Sequence, residues 1–176
     1  MLKINKPIIF VGIMGAGKTS FGKKIAKSLD VPFFDSDHVI EEQEKMAVGD
    51  VFEYKGEEYF RNREYEVIKE LLESNSQCII AFGGGAFISD KVRSLVKEMA
   101  ISVWIKADID VLLQRVSGNN KRPLLEKGDK RDILLNLLKK RESFYAEADI
   151  EILNNNVPHK KVEKIFLEKL DEYYGK

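Results

Sequence analysis

Five short apolar runs punctuate the chain, at residues 7–11, 31–34, 78–82, 101–105 and 150–153, each brief and rich in β-branched or aromatic side chains. Such runs predict strands. Between them apolar positions recur at helical spacing over 18–29, 37–45, 57–72, 90–99, 108–116, 130–148 and 160–173. The alternation of strand and helix predicts an α/β fold, a single domain over residues 1–176 with a five-stranded parallel sheet flanked by helices. Ligands of such sheets bind outside the carboxyl ends of the strands, so the segments that follow each strand carry the candidate chemistry. Residues 117–130, SGNNKRPLLEKGDK, break the pattern with Gly, Asn, Pro and mixed charges and read as a mobile loop centred on an Arg-Pro pair.

Composition narrows the setting. A chain of 176 residues, 44% hydrophobic, is long enough to bury a core and short enough for one domain. Its 29 basic and 29 acidic residues cancel, so no overall field recruits nucleic acid or a membrane surface, and any anion must be held by local groups. Cys78 is the only cysteine, which excludes an internal disulfide, fits a reducing compartment and assigns Cys78 to packing. The first apolar run leads straight into a glycine-rich loop with no cleavage site, and no run approaches the ~18 residues of a membrane span. A soluble, cytoplasmic protein is expected.

The first strand opens IIFVGIMGAGKTSFGKKIA. Gly12, Gly17, Lys18 and Thr19 fit G-x-x-x-x-G-K-[ST], the loop that cradles nucleotide phosphates. Phosphate oxygens must approach backbone N–H groups closely, which calls for residues without side chains, here Gly12, Gly15 and Gly17, with Ala16 and Ser20 completing the cradle. The following helix adds its positive dipole end, Lys18 can reach the β/γ-phosphates, and the Thr19 hydroxyl can ligate Mg²⁺. A chance glycine turn would need neither the strand before it nor the helix after it. The motif specifies a nucleoside triphosphate and leaves the second substrate open.

Three further stretches bear on that substrate. FFDSDHVIE sets Asp35 and Asp37 two residues apart after the second strand. One can stand behind the magnesium and the other can accept a substrate hydroxyl proton, or one can simply cap the next helix. FEYKGEEYFRNREYEVI brings Arg61, Arg63 and Glu64 to the start of a long helix. Arg61, after Tyr59 and Phe60, reads as a bidentate grip on an anion, and Arg63 as an ion-pairing residue of the helix surface. IIAFGGGAFIS ends a buried strand on Gly83, Gly84 and Gly85, more glycine than a turn needs, so backbone lying against a ligand is expected.

Together these stretches, with RVSGNNKRPLL and RESFYAEAD, resemble the shikimate kinase family, whose members have a P-loop kinase fold with a mobile lid. The likeness covers nearly the whole chain in the family's order and spacing. It implies transfer of the γ-phosphoryl group of MgATP to the 3-hydroxyl of shikimate, a step of chorismate and aromatic amino-acid biosynthesis. By the resemblance Lys18, Asp37 and Arg122 are catalytic: Asp37 holds the ring hydroxyls and orients or deprotonates the acceptor, and Arg122 is the arginine of a lid at about 117–130. Arg61 and Arg141 grip the carboxylate, Gly83, Gly84 and Gly85 pack against the ring, and the shikimate-binding helical segment spans about 35–64. Thr19, with Asp35 through water, holds Mg²⁺, while Arg115 and Pro158 sandwich adenine. A monomer is expected. The chain departs from the family at Lys45, where glycine is usual, at Ala47, where serine is usual, and in the adenine loop NNNVPHKKV. A gluconate kinase or nucleotide kinase is the nearest rival, disfavoured by the paired arginines and the triple glycine. A silent nucleotide-binding module is disfavoured by the intact Lys18, Thr19, Asp37 and Arg122.

Overall fold

A computed structural model describes residues 3–117 and 128–175. Arg122 and most of the expected lid therefore lie outside the described residues. The elements run β1 (Ile8–Val11), α1 (Lys18–Leu29), β2 (Phe33–Asp35), α2 (Ser36–Glu44), α3 (Val48–Lys55), α4 (Glu57–Ser74) and β3 (Ile79–Ala81). A 3₁₀ turn (Ala86–Ile88), α5 (Asp90–Met99), β4 (Ile101–Lys106), α6 (Ile109–Ser117), α7 (Lys130–Tyr145), β5 (Ile150–Leu153) and α8 (His159–Tyr174) follow. The five strands form one parallel sheet in the order β2-β3-β1-β4-β5.

The strands sit where the apolar runs predict them. All four residues of β1 are buried, as the central strand of a sheet covered on both faces demands, whereas edge strand β5 alternates buried Ile150 and Ile152 with exposed Glu151 and Leu153. Helix α7 stops at Tyr145 instead of reaching 148: past it the Glu147 and Ala148 N–H groups bond the Phe144 and Tyr145 carbonyls, three residues back rather than four, which tightens the chain out of the α-helix. Helix α3 gives no periodic signal of its own, although it falls within the helical segment at about 35–64 that the family resemblance implies. Its stripe is only Val48, Val51 and Phe52 around a glycine, too short for a periodic signal, and tertiary packing stabilises it: Val51 is fully buried and the Phe52 ring lies 4.3 Å from that of Phe60 on α4.

Close packing fixes the level of the strand ends. Phe10 of β1 meets Phe21 of α1 and Phe166 of α8 with ring centroids 5.4 and 5.7 Å apart, and burial of rings like these stabilises by roughly 1.5–3 kcal/mol each. The register pairs Phe10 with both Ala81 and Val103, and Asp35 with Ala81. Gly12, Asp35 and Gly83 thus emerge at neighbouring heights along one edge. On the opposite side, the Asp149 carboxylate accepts from the Ser102 N–H and hydroxyl at 2.8 and 2.7 Å, tying the start of β4 to the residue before β5. Cys78 is buried and free, and burial pushes its thiol up to about 12, in keeping with a packing role.

Helices α2, α3 and α4 are joined through Glu44, whose carboxylate accepts from Lys55 at 2.6 Å, Tyr59 at 3.1 Å and Arg63 at 2.9 Å. Arg63 also bonds Glu66 within α4, the kind of pairing its sequence reading expects, and Gln43 of α2, so beyond that reading it holds α4 against α2. At the two departures from the family pattern the structure supplies distinct answers. Ala47 has no side chain to cap α3, and Glu41 of α2 takes its place by accepting from the Val48 N–H at 3.0 Å. Lys45 ends α2 with φ 55, the left-handed region that disfavours a side chain. The Lys45 and Met46 N–H groups both bond the Glu41 carbonyl at this turn, bonds that glycine keeps without the steric cost of a side chain, so Lys45→Gly should stabilise the protein by about 0.5–1 kcal/mol, the relief exceeding the added freedom of the unfolded chain. Urea unfolding checks this: a higher midpoint at unchanged slope is expected.

Candidate active site

The loop after β1 needs its glycines for two reasons. Gly12, Gly15 and Gly17 have φ of 142, 82 and 93, and a Cβ on Gly12 would lie 2.5 Å from the Ile105 carbonyl oxygen. Helix α1 starts with no side-chain cap and no acidic residue in its first turn, which leaves its first N–H groups and positive end for an anion. Neighbouring elements take up the loop's outward carbonyls. Arg115 of α6 donates to the Gly15 and Ala16 oxygens at 3.3 and 3.2 Å, and Asn154, just past β5, donates to the Ala16 oxygen at 2.8 Å. Lys18 folds over the loop and donates to the Gly12 and Ile13 oxygens at 2.8 and 3.1 Å. Ser20 donates to the Gly17 oxygen.

Asp35 and Asp37 separate into two roles. Asp35 caps α2 by accepting from the His38 N–H at 3.5 Å, and its other oxygen accepts from the Thr19 hydroxyl at 2.8 Å. This hydroxyl and carboxylate beside the phosphate loop form an all-oxygen pair suited to a hard cation that keeps most of its shell as water and phosphate. Among the described residues no cluster of three or more His, Cys, Asp or Glu side chains is built to hold a metal by itself. Asp37 points elsewhere, into the pocket at the end of β3.

There the three glycines make room for charge. A Cβ on Gly83 would lie 2.4 Å from an Asp37 carboxylate oxygen, one on Gly84 would lie 3.3 Å from Arg141 Nη1, and one on Gly85 would lie 2.7 Å from Arg61 Nη2. None of the three has positive φ, so the requirement is space. The sequence reading gave that space to a ligand, whereas here the heads of Asp37, Arg141 and Arg61 stand in it. The Gly84 carbonyl accepts from Arg141 at 3.2 Å and from the Tyr145 hydroxyl, and the Gly83 N–H donates to the Ser36 hydroxyl at 3.2 Å.

A fourth charged group, Glu64, has no role in the sequence reading. It is 2% exposed and accepts from Arg61 Nη1 at 2.7 Å. The signal was present: Glu64 lies on the α4 stripe of Phe60, Val67, Ile68 and Leu71, and a carboxylate on a buried stripe three residues from an arginine marks a paired charge. Burial pushes the Glu64 carboxyl up to about 7 against the pull of Arg61. Burial likewise raises Asp37 to about 6, the charge of Asp35 adds to the rise, and Lys18 and Arg61 oppose it. Arg61 also lies over the Phe52 and Phe60 rings at 5.6 and 5.3 Å, so α3 helps to aim it.

The structure thus brings Lys18, Thr19, Asp35, Asp37, Arg61, Arg141 and the glycines of both loops to one edge of the sheet. Pro158 is exposed at the start of α8. The loop before it is tied by Asn155 to Asp108 and by Asn156 to Gln114, next to the Arg115 side chain on α6.

Comparison with known proteins is consistent with this geometry. The sequence profile of the shikimate kinase family matches residues 14–171. The chain is 38% identical to the shikimate kinase of Novosphingobium aromaticivorans over 97% of its own length and 90% of the relative's, and 40% identical to that of Rhodopseudomonas palustris over 90% and 77%. It superposes on shikimate kinase from Acinetobacter baumannii in complex with shikimate with a TM-score of 0.89 and 34% identity, covering 96% of this chain and 94% of that one.

A methyl group at residue 83 would have to displace the Asp37 carboxylate while touching little of the core. Gly83→Ala should therefore lower turnover by about 100-fold or more, the scale of a misplaced proton acceptor, with the melting temperature nearly unchanged. Steady-state kinetics beside a thermal scan decides: full turnover would mean that Asp37 has no fixed position to lose.

Proposed function

The chain belongs to the shikimate kinase family, and we propose that it transfers the γ-phosphoryl group of ATP to the 3-hydroxyl of shikimate, in chorismate and aromatic amino-acid biosynthesis. One observation carries the assignment of roles: a half-buried carboxylate and two arginines share the space over Gly83, Gly84 and Gly85, beside a phosphate-binding loop. A proton acceptor, an anion grip and a phosphate cradle are what a carboxylated polyol needs to be phosphorylated.

In this reading the triphosphate lies on the N–H groups from Gly15 to Ser20, and Lys18 leaves the loop carbonyls for the β/γ-phosphates. Thr19, with Asp35 through water, would hold Mg²⁺, which would offset charge on the phosphates. Arg61 and Arg141 take the shikimate carboxylate by charge-assisted hydrogen bonds, and Glu64 keeps Arg61 in place without meeting the substrate. With the ring so anchored, the 3-hydroxyl faces Asp37, which accepts its proton as the oxygen bonds to the γ-phosphorus and the bond to ADP breaks. The raised Asp37 carboxyl suits that exchange, since its affinity for a proton lies close to working pH. Arg122, by its place in RPLL, closes on the phosphates, and Arg115 with Pro158 encloses the adenine. The reading needs no residue from a second subunit. Balanced charge supports the absence of a nucleic-acid or membrane partner, and no helix among the described residues is long and apolar enough to cross a membrane, which fits a cytoplasmic enzyme.

A coupled ADP-release assay tests the reading. With MgATP, shikimate should drive release, gluconate and nucleoside monophosphates should not, and Lys18→Met should abolish it. Arg141→Lys should weaken shikimate binding by roughly ten- to a hundredfold, the scale of a charge-assisted contact of ~1.5–3 kcal/mol, and leave ATP affinity unchanged. Release driven by gluconate, or loss of ATP affinity in Arg141→Lys with shikimate binding kept, would overturn the assignment.

A further inference from the structure

Arg93 of α5 has no part in the reading above, yet its guanidinium is committed on four sides. Nη1 donates to the Phe87 and Ile88 carbonyl oxygens at 2.9 and 2.6 Å, and Nε donates to Glu147 at 3.1 Å. Nη2 pairs with Asp90, and the guanidinium lies 4.7 Å from the centre of the Phe144 ring. Its side chain is 13% exposed. Apart from Asp90 of α5 itself, these partners belong to two elements: Phe87 and Ile88 lie in the 3₁₀ turn that directly follows Gly85, and Phe144 and Glu147 mark the end of α7.

The same two elements meet again at the substrate pocket. Arg141 lies one turn before Phe144, Tyr145 is adjacent to it, and both donate to the Gly84 carbonyl. The glycine loop and the end of α7 are therefore joined at Gly84 and clamped by Arg93 a few residues further along each. A shift between these elements moves Arg141 relative to Gly84 and Arg61, and a grip shared by two guanidinium groups tolerates little change in their spacing. We propose that Arg93 is a positioning residue for acceptor binding, setting the distance between the glycine loop and Arg141 and thereby the affinity for the substrate carboxylate, which it does not touch. The proposal rests on the assignment of Arg141 to that carboxylate. Lysine cannot take the role, since one ammonium cannot reach two peptide carbonyls and Glu147 while stacking on Phe144.

Three variants test it through the Michaelis constants and thermal midpoints. Arg93→Met keeps the stem on Phe144 and removes every donor. It should raise the Michaelis constant for shikimate about tenfold and leave that for ATP unchanged. Arg93→Lys should not restore the wild-type value. Glu147→Gln weakens the tether to α7 at an exposed carboxylate and should shift the shikimate constant in the same direction by a smaller factor. Combined with Arg141→Lys, Arg93→Met should add less than its separate effect, because both act on one contact. Equal shifts for both substrates, or a lower thermal midpoint with neither constant changed, would make Arg93 a structural residue only and overturn the proposal. If Arg93→Met does not fold, Glu147→Gln decides alone, and an unchanged shikimate constant rejects the positioning role. Should Arg141→Lys by itself leave shikimate binding intact, the carboxylate assignment falls and the proposal with it, even though ADP release with shikimate would persist.

Discussion

Two carboxyl groups, half-buried Asp37 and buried Glu64, crowd against two guanidinium groups, Arg61 and Arg141, at the carboxyl end of a parallel sheet, and much of the chain serves to make that crowding tolerable. Taking such groups out of water is expensive, and attraction offsets the cost only when the geometry is held closely. Three consecutive glycines provide the volume: a Cβ on Gly83 or Gly85 would collide with a charged head, and one on Gly84 would crowd Arg141. Even so the balance leans against ionisation, and both carboxyls are pushed up, to about 6 for Asp37 and about 7 for Glu64. A folded state that binds these protons more tightly than the unfolded chain loses relative stability as pH climbs from the ordinary carboxyl range towards 7. The cluster is a strain that the fold carries for the sake of the site.

The scaffold supports it from three directions. Central strand β1 fixes the level at which Gly12 and Gly83 emerge, through a register shared with β3 and β4. Helices α2, α3 and α4, gathered on Glu44, set Asp37, Arg61 and Glu64 relative to each other, with Phe52 of α3 lying beneath the Arg61 guanidinium. On the far side, Tyr145 and Arg141 of α7 fasten Gly84. The phosphate loop is braced separately by Arg115 and Asn154, which occupy its carbonyls and leave the helix end open to an anion. Nucleotide and acceptor sides thus have independent supports that meet at Lys18 and Asp37.

The sheet and the phosphate loop were legible in the sequence because their signals are local: short apolar runs, a helical period, and a motif whose glycines answer to backbone geometry. Arg61 and Asp37 were legible as candidates, but the choice between Asp35 and Asp37 as cap was not, since capping depends on which carboxylate the turn of the chain aims at the His38 N–H. Helix α3 stayed hidden from the periodic pattern because tertiary contacts stabilise it, and the cap it borrows from Glu41 lies seven residues away. The triple glycine was legible as more than a turn needs, while the side chains that stand over it were out of sight: Arg141 lies 57 residues from the glycine whose carbonyl it binds. Glu64 was in view and passed over, although its place on an apolar stripe carried the information.

The site turns on a half-buried Asp37 with a raised affinity for its proton, and the carboxyl carbon itself reports on it. Carbon-13 chemical shifts of the Asp37 side chain, followed through a pH titration of the unliganded protein and assigned with Asp37→Asn, measure its protonation directly. A midpoint near 6, well above the ordinary 3.8 of an aspartate, is the expected result. A midpoint at or below 3.8 would show that the neighbouring cations outweigh burial, and would contradict the account of the site as a cluster in which desolvation dominates.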